Sequence, residues 1–180
     1  MTLIAVYPLY TKRLVIRPLT EHEAPFILKL LNDPGFLQFI GDKQVRNLEQ
    51  AREYIRTGPM QSFLEHGFAL HLVSLRAENH GEGEPIGICG LLQRDFLPAP
   101  DLGFAFLQEF TGQGFGFEAT RQVLAEEFTY KGLTKIMAIT APDNEASRAL
   151  LEKLNFIYTE SRNFPQLGGE SAIYHLHKAG

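Results

Sequence analysis

The sequence predicts an α+β protein in which a central twisted sheet, mixed but mostly antiparallel, is flanked by helices. Residues 68–75 and 85–92 are both strand-like, and the polar, glycine-containing stretch between them is typical of a hairpin turn. Residues 101–107 form another apolar, strand-like run, which a glycine-rich turn joins to a helical stretch. The chain has 180 residues, of which 44% are hydrophobic, so it can bury a core, and we predict a single domain spanning residues 1–180.

Composition and charge argue against several classes of partner. The formal net charge is −4, from 21 acidic and 17 basic side chains, so we expect neither nucleic acid nor a membrane as a partner. The single cysteine, Cys89, allows no disulfide within the chain and is interpreted as a small buried strand residue rather than a nucleophile. No spacing of cysteine and histidine fits a zinc site, so we expect no metal. Residues 1–8 lack the basic region of a signal peptide and no run reaches transmembrane length, which predicts a cytoplasmic location.

The first half of the chain is predicted to form one strand and then helices. Apolar and basic residues alternate over 13–19, which predicts the first strand. Thr20 and Glu23 have the spacing of a capping box in front of a helical stripe over 26–31. The other expectations for this half are a helix stop at 32–35, a loop or short helix at 36–47, a helix capped by Asn47 with Gln50 and ended by Gly58-Pro59, and a helical segment ending near Gly67.

The second half of the chain is predicted to alternate strands with helices. The spacing of apolar residues predicts a helix over 117–131, and 135–140 is typical of a buried strand. Asn155 is predicted to end the following helix in a left-handed conformation. The other expectations for this half are a helix opened by Pro142-Asp143-Asn144 with Ala146, Leu150 and Leu154 on one face, final strands at 156–161 and 171–177, and a loop at 162–170.

The glycine-rich turn carries a chemical signal of its own. Glycines alternate at Gly112, Gly114 and Gly116, directly before the predicted helix. The first turn of a helix leaves its N–H groups unpaired and carries the positive end of the dipole, and glycine lets a ligand approach the backbone. The turn therefore indicates a phosphate site, although its spacing matches neither a P-loop nor a dinucleotide fingerprint. A flexible linker or a tight strand-to-helix turn is the alternative interpretation.

Four stretches of the chain form an ordered set of motifs. They are RLVIRPL at 13–19, DLGF at 101–104, GQGFGFEA at 112–119, and a late segment containing Asn144, Ser147, Arg148, Glu152-Lys153-Leu154 and Phe156. Together they resemble the GNAT superfamily of acyl-CoA-dependent N-acetyltransferases, in particular its ribosomal-protein-alanine-acetyltransferase-like branch, over roughly residues 12–160. The chain departs from the family pattern at three positions: Thr111 stands where this branch often has Trp, Asn155 where many members have Gly, and Leu151 where many have a Tyr acid.

The resemblance implies the acyl-CoA N-acyltransferase fold and transfer of an acetyl group from acetyl-CoA to a primary amine by direct attack on the thioester. In the family, pantetheine pairs with the free edge of the strand before the glycine loop, and the N–H groups of the loop hold the pyrophosphate. The resemblance therefore implies that the cofactor is bound by Phe104, Phe106, Gln108, Gly112, Gln113, Gly114, Phe115, Gly116, Phe117, Asn144 and Ser147.

The resemblance also implies candidate catalytic residues. Asp101 stands where the branch usually has an acid, and it can accept the proton of the amine directly or through water. Ser147 can donate a hydrogen bond to the leaving thiolate, or it can simply bond within its own helix. Asn144 is expected to cap that helix as well as to contact pantetheine. Further candidates are Glu109 and Glu160 as bases, and Tyr174 and His175 on the last strand, where core or edge roles are more common.

The acceptor amine must approach from the side opposite the cofactor loop, where two irregular segments are available. These are residues 32–47 and 162–170, the second with a Gly168-Gly169 pair that can act as a hinge. The acceptor is expected to be a protein N-terminus or a small-molecule amine, and the protein a monomer or homodimer. The residues predicted to contact the acceptor are Phe36, Phe39 and Phe164.

Two other functions are compatible with these motifs. The same fold can bind acetyl-CoA without turnover, as a sensor or as a structural ligand. A different phosphate-binding α/β domain is a third interpretation, and it requires the predicted early antiparallel strands to be wrong. A thiol-release assay with amines separates the first two functions, and binding of CoA compared with ATP and NAD separates the third.

Overall fold

The computed structural model describes residues 7–178, and these residues contain an eight-stranded sheet. Its strands lie in the order β1-β2-β3-β4-β5-β6-β8-β7, and all neighbours are antiparallel except β5 and β6, which are parallel. This mixed, mostly antiparallel sheet confirms the predicted fold class. The strands are β1 (Leu9–Tyr10), β2 (Leu14–Pro18), β3 (Leu70–Arg76), β4 (Glu82–Leu92), β5 (Asp101–Phe106), β6 (Lys135–Thr140), β7 (Ile157–Phe164) and β8 (Gly169–His177).

The helices cover both faces of the sheet. Helix α5 packs on one face, where Val123 and Leu124 join a core cluster with Ile86 and Leu91 of β4. Helices α1 and α3 pack on the other face, because successive side chains of a strand point to opposite sides. The α-helices are α1 (Ala24–Leu31), α2 (Pro34–Phe39), α3 (Leu48–Ile55), α4 (Gln61–His66), α5 (Phe115–Tyr130) and α6 (Glu145–Lys153); the 3₁₀ turns are Glu21–Glu23, Gln108–Phe110 and Pro165–Leu167.

The predicted helix stop at Gly58-Pro59 is wrong. Helix α3 continues through a π-helical turn, Arg56–Met60, directly into α4. A proline has no N–H and its ring clashes with the carbonyl group four residues earlier in a regular α-helix. The wider π turn accommodates Pro59, which is buried there. The predicted end near Gly67 is confirmed, since Gly67 caps α4 with φ +75°.

The predicted loop at 162–170 is also wrong for most of its length. Strand β7 continues through Phe164 and β8 begins at Gly169, and these two residues pair across the hairpin. The exposed edge strand β7 tolerates polar residues, so its sequence has the composition of a loop. A short connection, Pro165–Gly168, remains between the strands, with φ +79° at Gly168. Gly169 belongs to a paired strand, so of the predicted glycine pair only Gly168 lies in the connection, and the hinge stays a prediction.

The local capping predictions are confirmed. Thr20 and Glu23 form a capping box, and the side chain of Asn47 accepts a hydrogen bond from the N–H of Gln50. Asn155 has φ +66°, and the N–H of Phe156 donates to the carbonyl group of Leu151 at 3.0 Å, as a Schellman motif requires.

Three further points refine the sequence-based expectations. Helix α6 buries Leu151 in the core, and of the predicted stripe Leu154 and Leu150 pack on the core while Ala146, in the first turn, is exposed. The short strand β1 was not predicted. The expectation of no signal peptide concerns residues 1–8, most of which lie outside the described residues.

Candidate functional site

The sheet opens between its two parallel strands. Strands β5 and β6 share one registered pair, Asp101 with Met137, beside a hydrogen bond of 2.9 Å from the N–H of Met137 to the carbonyl oxygen of Pro100. Beyond that pair, β5 leads into the glycine loop, while β6 stays paired with β8 as far as Thr140. The two strands therefore separate, and a gap opens toward the loop.

The register of β4 and β5 determines which backbone groups face this gap. The N–H of Leu107 donates to the carbonyl oxygen of Ile86 at 2.9 Å, so Leu107 points toward β4. Backbone groups along an antiparallel strand point alternately to one neighbour and the other. The N–H and C=O groups of Phe104 and Phe106 therefore face away from β4, toward the gap. The carbonyl of Pro100, which accepts from β6, agrees with this alternation.

The free edge of β5 does not reach Gln108, which the sequence analysis included among the cofactor-binding residues. The backbone of Gln108 is already hydrogen-bonded. Its N–H donates to Oδ2 of Asp33 at 3.2 Å. Its carbonyl oxygen accepts hydrogen bonds from the N–H of Thr111 at 3.2 Å and from the Thr111 hydroxyl at 2.7 Å. The edge available for pairing thus ends at Phe106, where β5 ends.

The glycine loop adopts a conformation that leaves its N–H groups accessible. Gly112 has φ +72° and Gly114 has φ +82°, values that favour glycine. The N–H groups of the first turn of any helix lack intrahelical acceptors. Gly114, the N-cap residue of α5, supplies no side chain to cap them, so they remain available to a ligand. The helix begins at Phe115, two residues earlier than predicted, so Gly116 lies inside its first turn.

A carboxylate that sequence reasoning left without a role anchors this loop. Oε1 of Glu118 accepts hydrogen bonds from the Thr11 hydroxyl at 2.6 Å and from the N–H of Arg13 at 2.8 Å. Its Oε2 accepts from Nε of Arg13 at 2.7 Å, and Nη1 of Arg13 donates to the Gln113 carbonyl oxygen at 3.0 Å. Burial raises the pKa of Glu118, but the bonds from Thr11 and Arg13 outweigh it and lower the pKa overall. The turn between β1 and β2 therefore holds the loop and the start of α5.

Two cations lie over the aromatic rings of this first turn. The Arg13 guanidinium is 4.3 Å from the ring centroid of Phe115, and the Lys153 ammonium is 4.4 Å from that of Phe117. Glu118 balances the charge of Arg13, whereas the Lys153 charge adds to the positive end of the α5 dipole, so this end of the gap favours an anion. Lys153 comes from α6, and the sequence analysis named it within the late motif but assigned it no role in binding.

The start of α6 is organised around Asn144. Its Oδ1 accepts a hydrogen bond from the N–H of Ser147 at 3.1 Å, so the predicted capping role is confirmed. Ser147 is half-buried, and within the described residues its hydroxyl makes no hydrogen bond. The cofactor and proton-donor roles of the two residues stay predictions. Leu151 is buried in the core, so no acid stands at that position.

Asp101 has the environment of a functional carboxylate. It is 1% exposed, and its Oδ1 accepts from Nε of Arg94 at 3.1 Å, while its Oδ2 lacks a partner within the described residues. Burial raises its pKa to about 6, although Arg94 acts in the opposite direction. The alternative bases are exposed and paired on the surface, Glu109 with Lys29 at 2.9 Å and Glu160 with Arg162.

The other reactive side chains are part of the core. Tyr174 is fully buried, and its hydroxyl oxygen accepts from Nε of Arg148 at 3.0 Å. Cys89 is also fully buried, and burial raises the pKa of its thiol, so its interpretation as a buried strand residue is confirmed. His175 is half-buried beside His177 and Lys135, and burial and these charges lower its pKa.

The three predicted acceptor contacts differ in their surroundings. Phe36 is buried in the core beneath α1 and α3, so its main contribution is to packing. Phe164 is buried in a small cluster with Met137 and Ile173, and its ring centroid is 5.2 Å from that of Phe96. Phe39 is partly exposed at the end of α2. Replacing Phe36 or Phe164 will therefore change stability as well as any contact with an acceptor.

Two properties of residues 7–178 bear on other classes of function. No helix there combines the length and apolar character needed to cross a membrane. The same residues contain no group of three or more acidic, histidine or cysteine side chains arranged to hold a metal ion.

An opened sheet beside a glycine loop and an uncapped helix N-terminus is an arrangement suited to a phosphorylated ligand. Residues 13–157 match the sequence profile described as the acetyltransferase (GNAT) domain. The uncharacterized N-acetyltransferase YoaA of Bacillus subtilis is 28% identical over 150 residues, which are 82% of this chain and 81% of YoaA. The chain therefore belongs to the GNAT acetyltransferase family and is an acetyltransferase.

Solved structures share this fold. An acetyltransferase from Agrobacterium tumefaciens superposes with a TM-score of 0.78 at 21% identity, over 96% of this chain and 95% of that one. A putative ribosomal-protein-serine acetyltransferase from Vibrio cholerae superposes with a TM-score of 0.77 at 16% identity, over 98% of this chain and 100% of that one. The branch named from the sequence motifs is thus represented among the structural neighbours.

The anchoring of the loop by Glu118 generates a first prediction. Glu118→Gln removes the charge that Arg13 and Thr11 bind, so we expect a loss of about 1–3 kcal/mol in the free energy of unfolding, measured by urea denaturation. We also expect weaker CoA binding by calorimetry, because the loop loses its fixed position. Glu49→Gln, which alters an exposed ion pair to Arg52, is the matched control and should change neither quantity measurably. Normal CoA affinity in Glu118→Gln would contradict the anchoring role.

Proposed function

We propose that this acetyltransferase uses acetyl-CoA and a primary amine, either a small molecule or a protein N-terminus, as its two substrates. The observation that carries the proposal is the gap between β5 and β6, which ends at the accessible N–H groups of the glycine loop. The fold-level likeness to solved acetyltransferases over nearly the whole chain supports one catalytic domain spanning residues 1–180. Whether the protein acts as a monomer or a homodimer is left open by this proposal.

The residues around the gap fit acetyl-CoA. The N–H groups from Gly112 to Phe117, with Arg13 and Lys153 nearby, suit a pyrophosphate. The outward-facing N–H and C=O groups of Phe104 and Phe106 suit the amide groups of pantetheine, because they lack a strand partner there. The opposite wall includes the start of α6, where the half-buried Ser147 is available to a thiol.

Acetyl-CoA supplies an acetyl group activated as a thioester. The part of the protein is to orient the two substrates and to move one proton. A β5 backbone N–H that faces the gap, at Phe104 or Phe106, can donate to the carbonyl oxygen of the acetyl group, where negative charge develops. Asp101 is mostly ionised at neutral pH, since its pKa is about 6, and it can accept the proton of the attacking amine. The Ser147 hydroxyl can donate a hydrogen bond to the departing sulfur.

Ligand-dependent stability and thiol release test the proposal together. CoA should raise the melting temperature with increasing concentration, because it binds the native state alone, whereas ATP and NAD should not. With acetyl-CoA and a panel of amines, free thiol should appear in proportion to acetylated amine. A shift with CoA but no turnover on any amine would support the non-catalytic binding module instead. No shift at millimolar CoA would contradict acetyl-CoA binding altogether.

The environment of Asp101 generates a prediction about pH. In the unaltered protein kcat/KM should rise as pH increases through about 6, where Asp101 loses its proton. Asp101→Asn should lack this inflection and lose on the order of 100-fold in turnover near neutral pH. The loss should shrink at high pH, where the amine is already neutral.

The matched control for this variant is Asp95→Asn, which alters an exposed carboxylate in the loop between β4 and β5. It should keep the pH profile of the unaltered protein. Because Asp101→Asn leaves Arg94 without its partner, its melting temperature is measured alongside the kinetics. An equal loss of activity at every pH would indicate a structural role for Asp101 and contradict its role as a base.

A further inference from the structure

The sheet ends in a long strand that has a neighbour on one side only. Strand β7 is the last strand in the order of the sheet, and among residues 7–178 it pairs only with β8. Its side chains are exposed at every position except the last. The opposite edge of the sheet is β1, which has only two residues. The unpaired N–H and C=O groups of a long edge strand are a template for a further strand, so this edge needs protection or a partner.

A β-bulge interrupts β7 only near its beginning. The register with β8 shifts between Tyr158 and Glu160, and the Thr159 hydroxyl donates to the carbonyl oxygen of Ile173 at 3.1 Å. From Glu160 to Phe164 the register with β8 continues without interruption. A bulge bends an edge away from other strands only where it occurs. The second half of β7 is therefore a regular edge that another strand can approach.

This regular half of β7 carries two opposite charges on one face. Glu160 and Arg162 are two positions apart, so their side chains share a face of the sheet, where they form an ion pair with each other. Both side chains are exposed. The residues directly opposite them on β8, Ile173 and Ser171, are neutral. Within the described part of the chain, neither charge faces an opposite charge across strands.

The arrangement of these charges favours one register of self-pairing. In an antiparallel pair of β7 strands centred on Glu160, two glutamates are opposite each other, and in one centred on Arg162, two arginines are. Like charges directly opposite each other destabilise a pair of strands. A pair centred on Ser161 instead places Glu160 opposite Arg162 of the partner subunit, and Arg162 opposite the partner's Glu160. This is the only self-pairing register that places both charges opposite charges of the other sign.

Exposed apolar side chains lie at both ends of the same register. Ile157 is 68% exposed and Tyr158 is 47% exposed at the beginning of β7, and Leu167 is 37% exposed in the turn that follows the strand. In an antiparallel pair, the beginning of one strand lies beside the end of the other. Ile157 and Tyr158 then lie near the partner's Leu167, and contact between them removes apolar surface from water.

We propose that β7 is a pairing surface for a second copy of this chain, and that two β7 strands associate antiparallel about Ser161, across a two-fold axis. The sheet then continues from one subunit into the other. Glu160 and Arg162 of both subunits form an alternating set of four charges, and the interface is isologous, because each subunit contributes the same residues. Pairing of this kind does not depend on acetyl transfer, and it can be measured without substrate.

Sedimentation equilibrium over a range of protein concentrations measures the pairing. The average mass should rise with concentration from the monomer value of 20.3 kDa toward twice that value. Glu160→Arg gives a copy with two positive charges on β7, and Arg162→Glu gives a copy with two negative charges. Each variant places like charges opposite each other in its own dimer, so the dissociation constant of that dimer should increase about tenfold or more.

A mixture of the two variants tests the register itself. In a mixed pair, the two positive charges of one copy lie opposite the two negative charges of the other, so association should return to the strength of the unaltered protein. The double variant Glu160→Arg/Arg162→Glu restores opposite charges across the two-fold axis and should also form a dimer. The matched control, Glu49→Arg, reverses an exposed charge on α3 and should keep the dissociation constant. The melting temperature of each variant shows that it is folded.

The outcomes are distinguishable. A monomeric mass at millimolar protein would overturn the proposal. A dimer that the two single variants leave equally strong would lie on another surface, which also overturns it. If the single variants dissociate but their mixture does not associate, the two charges do not face each other and the register about Ser161 is wrong. None of these results decides acetyl transfer, which CoA binding and thiol release test separately.

Discussion

The separation of β5 from β6 is the constraint on which the site depends. These are the two parallel neighbours in an otherwise antiparallel sheet, and their one registered pair joins Asp101 to Met137. Beyond this pair, toward the glycine loop, the outward-facing backbone groups of Phe104 and Phe106 have no strand partner among residues 7–178. Unpaired main-chain groups at a strand edge are a template for another chain or for a ligand with amide groups. The same pair holds Asp101 at the base of the gap, where it is buried beside Arg94.

The glycine loop at the open end of this gap is fixed by residues about a hundred positions earlier in the chain. Glu118 joins the first helical turn of α5 to Thr11 and Arg13, so the entry into β2 positions the glycine loop. A flexible loop would lose conformational entropy on binding a phosphate, and an anchored one loses less. Exposed glycines at Gly112 and Gly114 can therefore give access to the backbone without leaving the loop disordered.

Much of the fold was predictable because its signals are local. Capping at Asn47, the left-handed turn at Asn155 and the hairpin of β3 and β4 all follow from residues within a few positions of each other. The π turn could not be predicted from the sequence, because a Gly-Pro pair normally ends a helix. Only the surrounding packing favours the wider turn at Pro59. The end of β7 was missed because an exposed edge strand has the polar composition of a loop.

The site was predictable only in part, for a related reason. The motifs led to the glycine loop and to Asp101. The contacts of Glu118 with Arg13 span 105 positions and no local pattern indicates them. The acceptor segments stay predictions, and of the three aromatic residues named for them, Phe36 and Phe164 are core residues.

Backbone resonances of the ¹⁵N-labelled protein, followed during a titration with CoA, test the central claim most directly. If the gap and the glycine loop hold the co-substrate through main-chain groups, the largest amide shifts will occur from Gly112 to Phe117 and at Phe104 and Phe106. Resonances on the distant face of the sheet, such as those of α3, will change little. Saturable shifts that are largest elsewhere, with the Gly112–Phe117 amides unmoved, would contradict the account.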